Sequence, residues 1–154
     1  MGDIETLYGE LKGDFQTISE PLFDFARQQL RRCGMFLPFG ASLSRDGKVT
    51  LNAASTGQDI ASSTEVLPIL HDGLRSEGAN SATAAVAVCE RVMMTPEGGS
   101  QTDAIKVLVE HARGLTVAFY QPCRKRLLLG WRFAEIVAVP AKPEVGAWAG
   151  KSDR

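Results

Sequence analysis

The chain has few of the residues from which catalytic and metal centres are usually built: 154 residues include two histidines and three cysteines. Cys33, Cys89 and Cys123 are odd in number and far apart, which excludes a fully paired disulfide framework and a paired-cysteine zinc site. They read as reduced thiols, mostly buried, with Cys123 the one whose thiolate a neighbouring basic turn would stabilise. No nucleotide loop, metal box or Gly-x-Ser-x-Gly elbow occurs, so no motif asks for a cofactor. Gly40-Ala41-Ser42 falls within a strand pattern, and Gly98-Gly99-Ser100 joins two strands without a helix N-terminus to receive phosphate. No apolar run approaches the roughly 20 residues that span a bilayer, and the N-terminus lacks a basic stretch followed by an apolar one. The expectation is therefore a cytoplasmic protein without membrane contact. A net charge of −1 provides no broad electrostatic footprint for nucleic acid.

What is present is a pair of matching hairpin signals, Ser44-Arg45-Asp46-Gly47-Lys48 and His111-Ala112-Arg113-Gly114-Leu115. Before the first, Leu37, Phe39, Ala41 and Leu43 alternate with polar or small residues; after it, Val49, Leu51 and Ala53 do the same. Residues opposite one another in an antiparallel ladder share a face. A two-residue loop would send these two apolar sets to opposite sides of the sheet. A three-residue loop, Arg45-Asp46-Gly47, pairs Leu43 with Val49, Ala41 with Leu51 and Phe39 with Ala53, and puts glycine at the left-handed position. The same test on the second signal pairs Val109 with Val117 and Val107 with Phe119. It places His111 on the apolar face, with Lys106, Glu110, Thr116 and Tyr120 on the other.

Elsewhere, Ile4, Leu7, Tyr8, Leu11, Phe15 and Ile18 recur at helical spacing, weakened by Gly9 and Gly13. A second helix is expected from Ser19 as N-cap and Pro21 in the first turn, carrying Leu22, Phe23, Ala26 and Leu30 and ending at Arg31-Arg32. Residues 55–63 read as a loop. A Ser/Thr-capped helix follows with Val66, Leu67, Leu70 and Leu74 as its buried stripe and Pro68 near its first turn, ending around Gly78. Residues 82–94 read as a strand buried on both sides. A last strand from Leu127 puts Leu127, Leu129, Trp131 and Phe133 on one face. The predicted order is α-α-β-β-α-β-β-β-β: an α+β domain over residues 1–140, with two to three helices on one largely antiparallel sheet of five to six strands. Residues 141–154 are expected as a loose tail.

The segments Phe36-Leu37-Pro38-Phe39-Gly40, Asp46-Gly47, Thr102-Asp103-Ala104-Ile105 and Glu110-His111 resemble small, uncharacterised bacterial α+β proteins of no known activity. That resemblance spans about residues 36–121. It implies a bacterial source and the hairpin layout, and carries no function.

The alternation sorts the candidate residues. The mixed face of Lys106, Leu108, Glu110, Thr116, Ala118 and Tyr120 suits contact better than a dry core, so the leading expectation is a binding or protein-interaction module, using a sheet face or edge and forming a homodimer. An alternative is a small hydrolase-like or metal-dependent enzyme using His111 with Glu90 or Asp103. Two imidazoles, His71 and His111, with one of those carboxylates would hold zinc or iron if they met. Glu110 cannot orient His111, because neighbours in a strand point to opposite faces. A third expectation is an anion or nucleic-acid site at the basic turn Arg124-Lys125-Arg126, with Arg132 and Tyr120 near it. Glu90 and Glu135 fall on apolar faces, which predicts strand ends or a bulge at those points.

Overall fold

The computed structural model describes residues 2–53 and 62–148. Among these residues seven strands form one open antiparallel sheet, flanked by two helices: α1 (Gly2–Cys33), β1 (Phe39–Ser44), β2 (Val49–Ala53), α2 (Ser63–Gly78), β3 (Thr83–Met94), β4 (Thr102–His111), β5 (Thr116–Arg126), β6 (Gly130–Phe133) and β7 (Val137–Pro140). The strand order is β2-β1-β3-β4-β5-β6, and β7 also pairs with β5, beyond the part that β6 uses. Both hairpins have the expected register: Leu43 faces Val49 and Phe39 faces Ala53, while Val109 faces Val117 and Val107 faces Phe119. Gly47 (φ 91°) and Gly114 (φ 92°) occupy the left-handed loop positions that the pattern reserved for them.

Three expectations need correction. Residues 2–33 are one continuous helix of 32 residues, with Ser19 buried mid-helix and Pro21 inside it. The apolar stripe explains this: Leu11, Phe15, Ile18, Leu22, Ala26 and Leu30 stay in phase across Ser19–Pro21, and all are buried against the sheet. Burying a large apolar side chain is worth about 1.5–3 kcal/mol. Five such gains, from all of these but Ala26, exceed the penalties of two glycines and a proline, together about 5 kcal/mol. The second correction concerns the hairpin after β5. Arg124, Lys125 and Arg126 are the end of β5, paired with Arg132, Trp131 and Gly130, and the turn is made by Leu127–Leu129. Leu127 and Leu129 continue the apolar period of Trp131 and Phe133, so the pattern does not separate turn from strand. The third is β7, a strand the expected order lacked. Glu135 lies exposed between β6 and β7, outside any strand.

Helix α2 begins as expected. Ser62 caps it through the Glu65 amide and Glu65 returns a bond to Ser62, a complete capping box. Pro68 lies in the second turn. The predicted loop over residues 55–61 lies outside the described residues.

The sheet's faces divide the core. On one, α1 packs over β1, β3 and β4 and reaches β6, enclosing Ala87, Cys89, Ile105, Val107, Val109 and Phe119. On the other, α2 packs over β1 and β3, with Leu70 and Leu74 against Val86 and Val88. Residues 144–147, within the expected loose tail, are seated on this second face: Val145 and Ala147 are buried. A β-carbon on Gly78 would come within 2.6 Å of the Ala147 side chain, so only glycine lets the segment lie this close to α2.

Candidate functional site

On the α1 face, His111 is buried at the end of β4, 5.9 Å between ring centroids from Phe15. Its Nδ1 accepts the Arg113 amide at 3.1 Å, which places the ring proton on Nε2. Nε2 then donates to the Asp14 carboxylate at 2.8 Å. With both nitrogens engaged, the ring has no free lone pair with which to take a proton from a substrate. It ties α1 to the β4–β5 turn, as does the neighbouring pair Arg113–Glu10.

The proposed partners of His111 lie elsewhere. Asp103 shares its face but sits at the other end of β4, about 27 Å away along the strand, where it pairs with Arg91 through bonds of 3.2 and 3.0 Å. Glu90 and His71 are on the opposite face, so neither constellation, His111 with a carboxylate or His111 with His71, is brought together. Among the described residues no group of three histidines, cysteines or carboxylates is placed to hold a metal ion.

The α2 face carries an arrangement the alternation could not reveal. Glu110, 3 % exposed, accepts four consecutive backbone amides: Glu144 and Val145 on one oxygen at 2.8 and 2.6 Å, Gly146 and Ala147 on the other at 2.9 and 3.3 Å. One carboxylate thus holds the C-terminal segment on the sheet. Arg75 of α2 adds a bond to the Val145 carbonyl at 2.7 Å. Beside it, Lys106 pairs with Glu144 at 2.7 Å. Burial opposes the Lys106 charge, but the Glu144 bond and charge outweigh it and raise the pKa. Two groups here lack a partner among the described residues. The Nε2 of His71 is buried without a hydrogen bond, and burial, then the Arg75 charge, lowers its pKa. Glu90 lies opposite Lys106 in the ladder, yet Lys106 turns to Glu144, and burial pushes the Glu90 pKa up.

Glu110, counted among the contact residues, is therefore used inside the molecule, and Thr116 is buried too. Leu108 and Ala118 are buried as well, the Lys106 side chain is 13 % exposed, and Tyr120 is partly exposed. Lys106 and Tyr120 belong to one cross-strand row, Glu90–Lys106–Tyr120–Val137, running over β3, β4, β5 and β7. Among the described residues no helix packs on the β4–β7 part of this row. Val137 and Val139 are 50 % and 40 % exposed beside it.

The third constellation is the β5–β6 hairpin. Arg124, Lys125, Arg126 and Arg132 are exposed, and the three arginines line an open cavity of about 300 Å³ with Pro96, Thr102 and Pro122. None of the four pairs with a carboxylate among the described residues. Nearby Cys123 is not activated by them: burial first, and then Asp103, push its thiol up to about 11. Trp131 and Phe133 stack on the other face at 6.5 Å, each beneath an arginine, Arg91 and Arg31 respectively.

Asp14, Glu144 and the amides of 144–147 are the participants that sequence reasoning missed. Asp14 precedes Phe15 in the helical stripe and so points near the same strand, a usable signal. Backbone amides have no residue identity and leave none. Compared with protein-family models, with curated proteins and with solved structures, the chain matches none.

Proposed function

We propose that this protein is a non-catalytic interaction module of the cytoplasm that self-associates through the part of its second sheet face that neither α2 nor residues 144–147 covers, around Tyr120 and β7. The observation that carries this reading is the row Glu90–Lys106–Tyr120–Val137, left without a helix above β4, β5 and β7. Tyr120, Val137 and Val139 form an apolar centre, while Glu90 and the Lys106–Glu144 pair form a charged rim. An aromatic centre within a polar margin is the anatomy of association surfaces. A second copy is the occupant this composition favours, because one patch then supplies acid, base and apolar centre to both sides of a two-fold contact. The closed hydrogen bonding of His111 and Glu110 removes the two residues that catalysis would most readily have used.

Light scattering on the purified chain tests the reading. A 16.6 kDa chain is expected to give twice its mass at tens of micromolar, and Tyr120→Glu or Val137→Glu to return it to the monomer with unchanged circular dichroism. A monomeric wild type at those concentrations overturns self-association, and a dimer indifferent to both variants overturns this surface.

A further inference from the structure

The β5–β6 hairpin ends in three consecutive leucines that face water: Leu127 is 89 %, Leu128 95 % and Leu129 73 % exposed. A soluble domain rarely leaves so contiguous an apolar group uncovered unless something else covers it. Leu128 also holds φ at 68°, a left-handed conformation that favours glycine or asparagine, so the fold retains a leucine where a smaller residue fits better. The turn closes with the Leu129 amide on the Arg126 carbonyl at 3.2 Å, which keeps the tip convex.

Charge of one sign only surrounds the tip. The nine positions 124–132 hold Arg124, Lys125, Arg126 and Arg132 and no acidic residue, in a chain whose 18 acids outnumber its 17 bases. Arg124 and Arg132 stand directly opposite in the ladder, a like-charge pairing that weakens a sheet and has no structural benefit here. With Arg126 they converge on the cavity described above, unpaired among the described residues. Trp131 lies one position beyond Gly130, partly buried against Phe133 and Arg91, close enough to the tip to report on its surroundings.

We propose that this hairpin docks on an anionic phospholipid bilayer, Leu127–Leu129 entering the acyl boundary while Arg124, Arg126 and Arg132 take the lipid phosphates. The convex leucine tip has no groove to receive a peptide, and its cations complement a negative surface. The mode needs no spanning segment, and so is compatible with a chain in which no described helix is long and apolar enough to cross a membrane.

The test is co-sedimentation of the full chain with vesicles of equal parts phosphatidylglycerol and phosphatidylcholine, against pure phosphatidylcholine, at about 0.1 M salt. The expected result is binding to the mixed vesicles alone, with Trp131 fluorescence shifted to the blue in a Trp148→Phe background. Leu128→Ser is expected to weaken partitioning about tenfold, one leucine's transfer into lipid, and Arg124→Gln with Arg132→Gln to reduce both affinity and salt dependence. Unchanged light-scattering mass and circular dichroism in these variants separate loss of docking from loss of fold or self-association. The proposal is overturned by absence of binding to the mixed vesicles, by equal binding of Leu128→Ser, or by arginine-dependent binding of inorganic phosphate or an oligonucleotide that the vesicles do not displace.

Discussion

Replacing Glu110 by Gln tests whether one carboxylate holds residues 141–148 in place. The side chain keeps its size, but one oxygen becomes a donor, so two of the four amides of 144–147 meet an N–H instead of an acceptor. Hydrogen bonds to a charged group are worth about 1.5–3 kcal/mol each, so the four amount to about 6–12 kcal/mol. Burial of Val145 and Ala147 adds about 3 kcal/mol. Fixing eight residues opposes this with about 8–16 kcal/mol of backbone entropy. The two sides nearly cancel, and docking rests on a margin of a few kcal/mol. Losing two bonds, about 3–6 kcal/mol, removes that margin. The expected outcome is release of the segment with the sheet intact. Hydrogen exchange measures it: protection of the 144–147 amides is expected to fall about a hundredfold or more, while the β3, β4 and β5 amides keep theirs. Protection at 144–147 within about threefold of wild type would refute the reasoning and assign the docking to apolar contact alone.

Two further outcomes follow from burial. A thiol reagent at pH 8 is expected to label one cysteine per native chain, the exposed Cys33, because Cys89 is buried with its pKa well above the usual range and Cys123 is pushed up to about 11; rapid labelling of two or three would show an open core. Glu90→Gln is expected to stabilise the protein more at pH 7 than at pH 4. Burial raises the Glu90 pKa in the folded state above its ordinary 4.5, so the native chain binds that proton more tightly and loses stability as pH rises through the raised value. A denaturation midpoint difference that does not vary with pH would count against it.

The two hairpins were legible in the sequence because a period of two and a left-handed glycine position must agree in a single register, and only one loop length satisfies both. Helix α2 was legible through its Ser/Thr cap and the stripe of Val66, Leu70 and Leu74, whereas the Glu65 half of the capping box was not read. The boundary expected at Ser19–Pro21 misled because capping chemistry is local, whereas the phase of Phe15, Ile18 and Leu22 is decided by the sheet that α1 covers. At the candidate site, alternation alone separated Glu110 from His111, and that separation stands. It could not foresee that Glu110 would receive four amides from more than 30 residues away, or that Asp14 would reach His111. Long-range pairing depends on tertiary geometry that neighbouring residues do not encode. The leucine tip was hidden for the opposite reason, because Leu127, Leu129, Trp131 and Phe133 satisfy the strand period perfectly.

Of the described elements helix α1 emerges first, and it is the last that can be completed. Asp14 meets His111 97 positions later, and Arg27 meets Gln121 94 positions later, at 2.8 Å each. At synthesis rates of about 5–20 residues per second, the Phe15–Leu22 stripe leaves the ribosome some 5–20 seconds before the strands that bury it. For that interval the nascent chain presents an amphipathic helix with an open apolar side, the form that chaperones hold and that other nascent chains stick to. Removing β4 and β5 would leave the helix with the part of its apolar surface around Phe15 still seeking a partner.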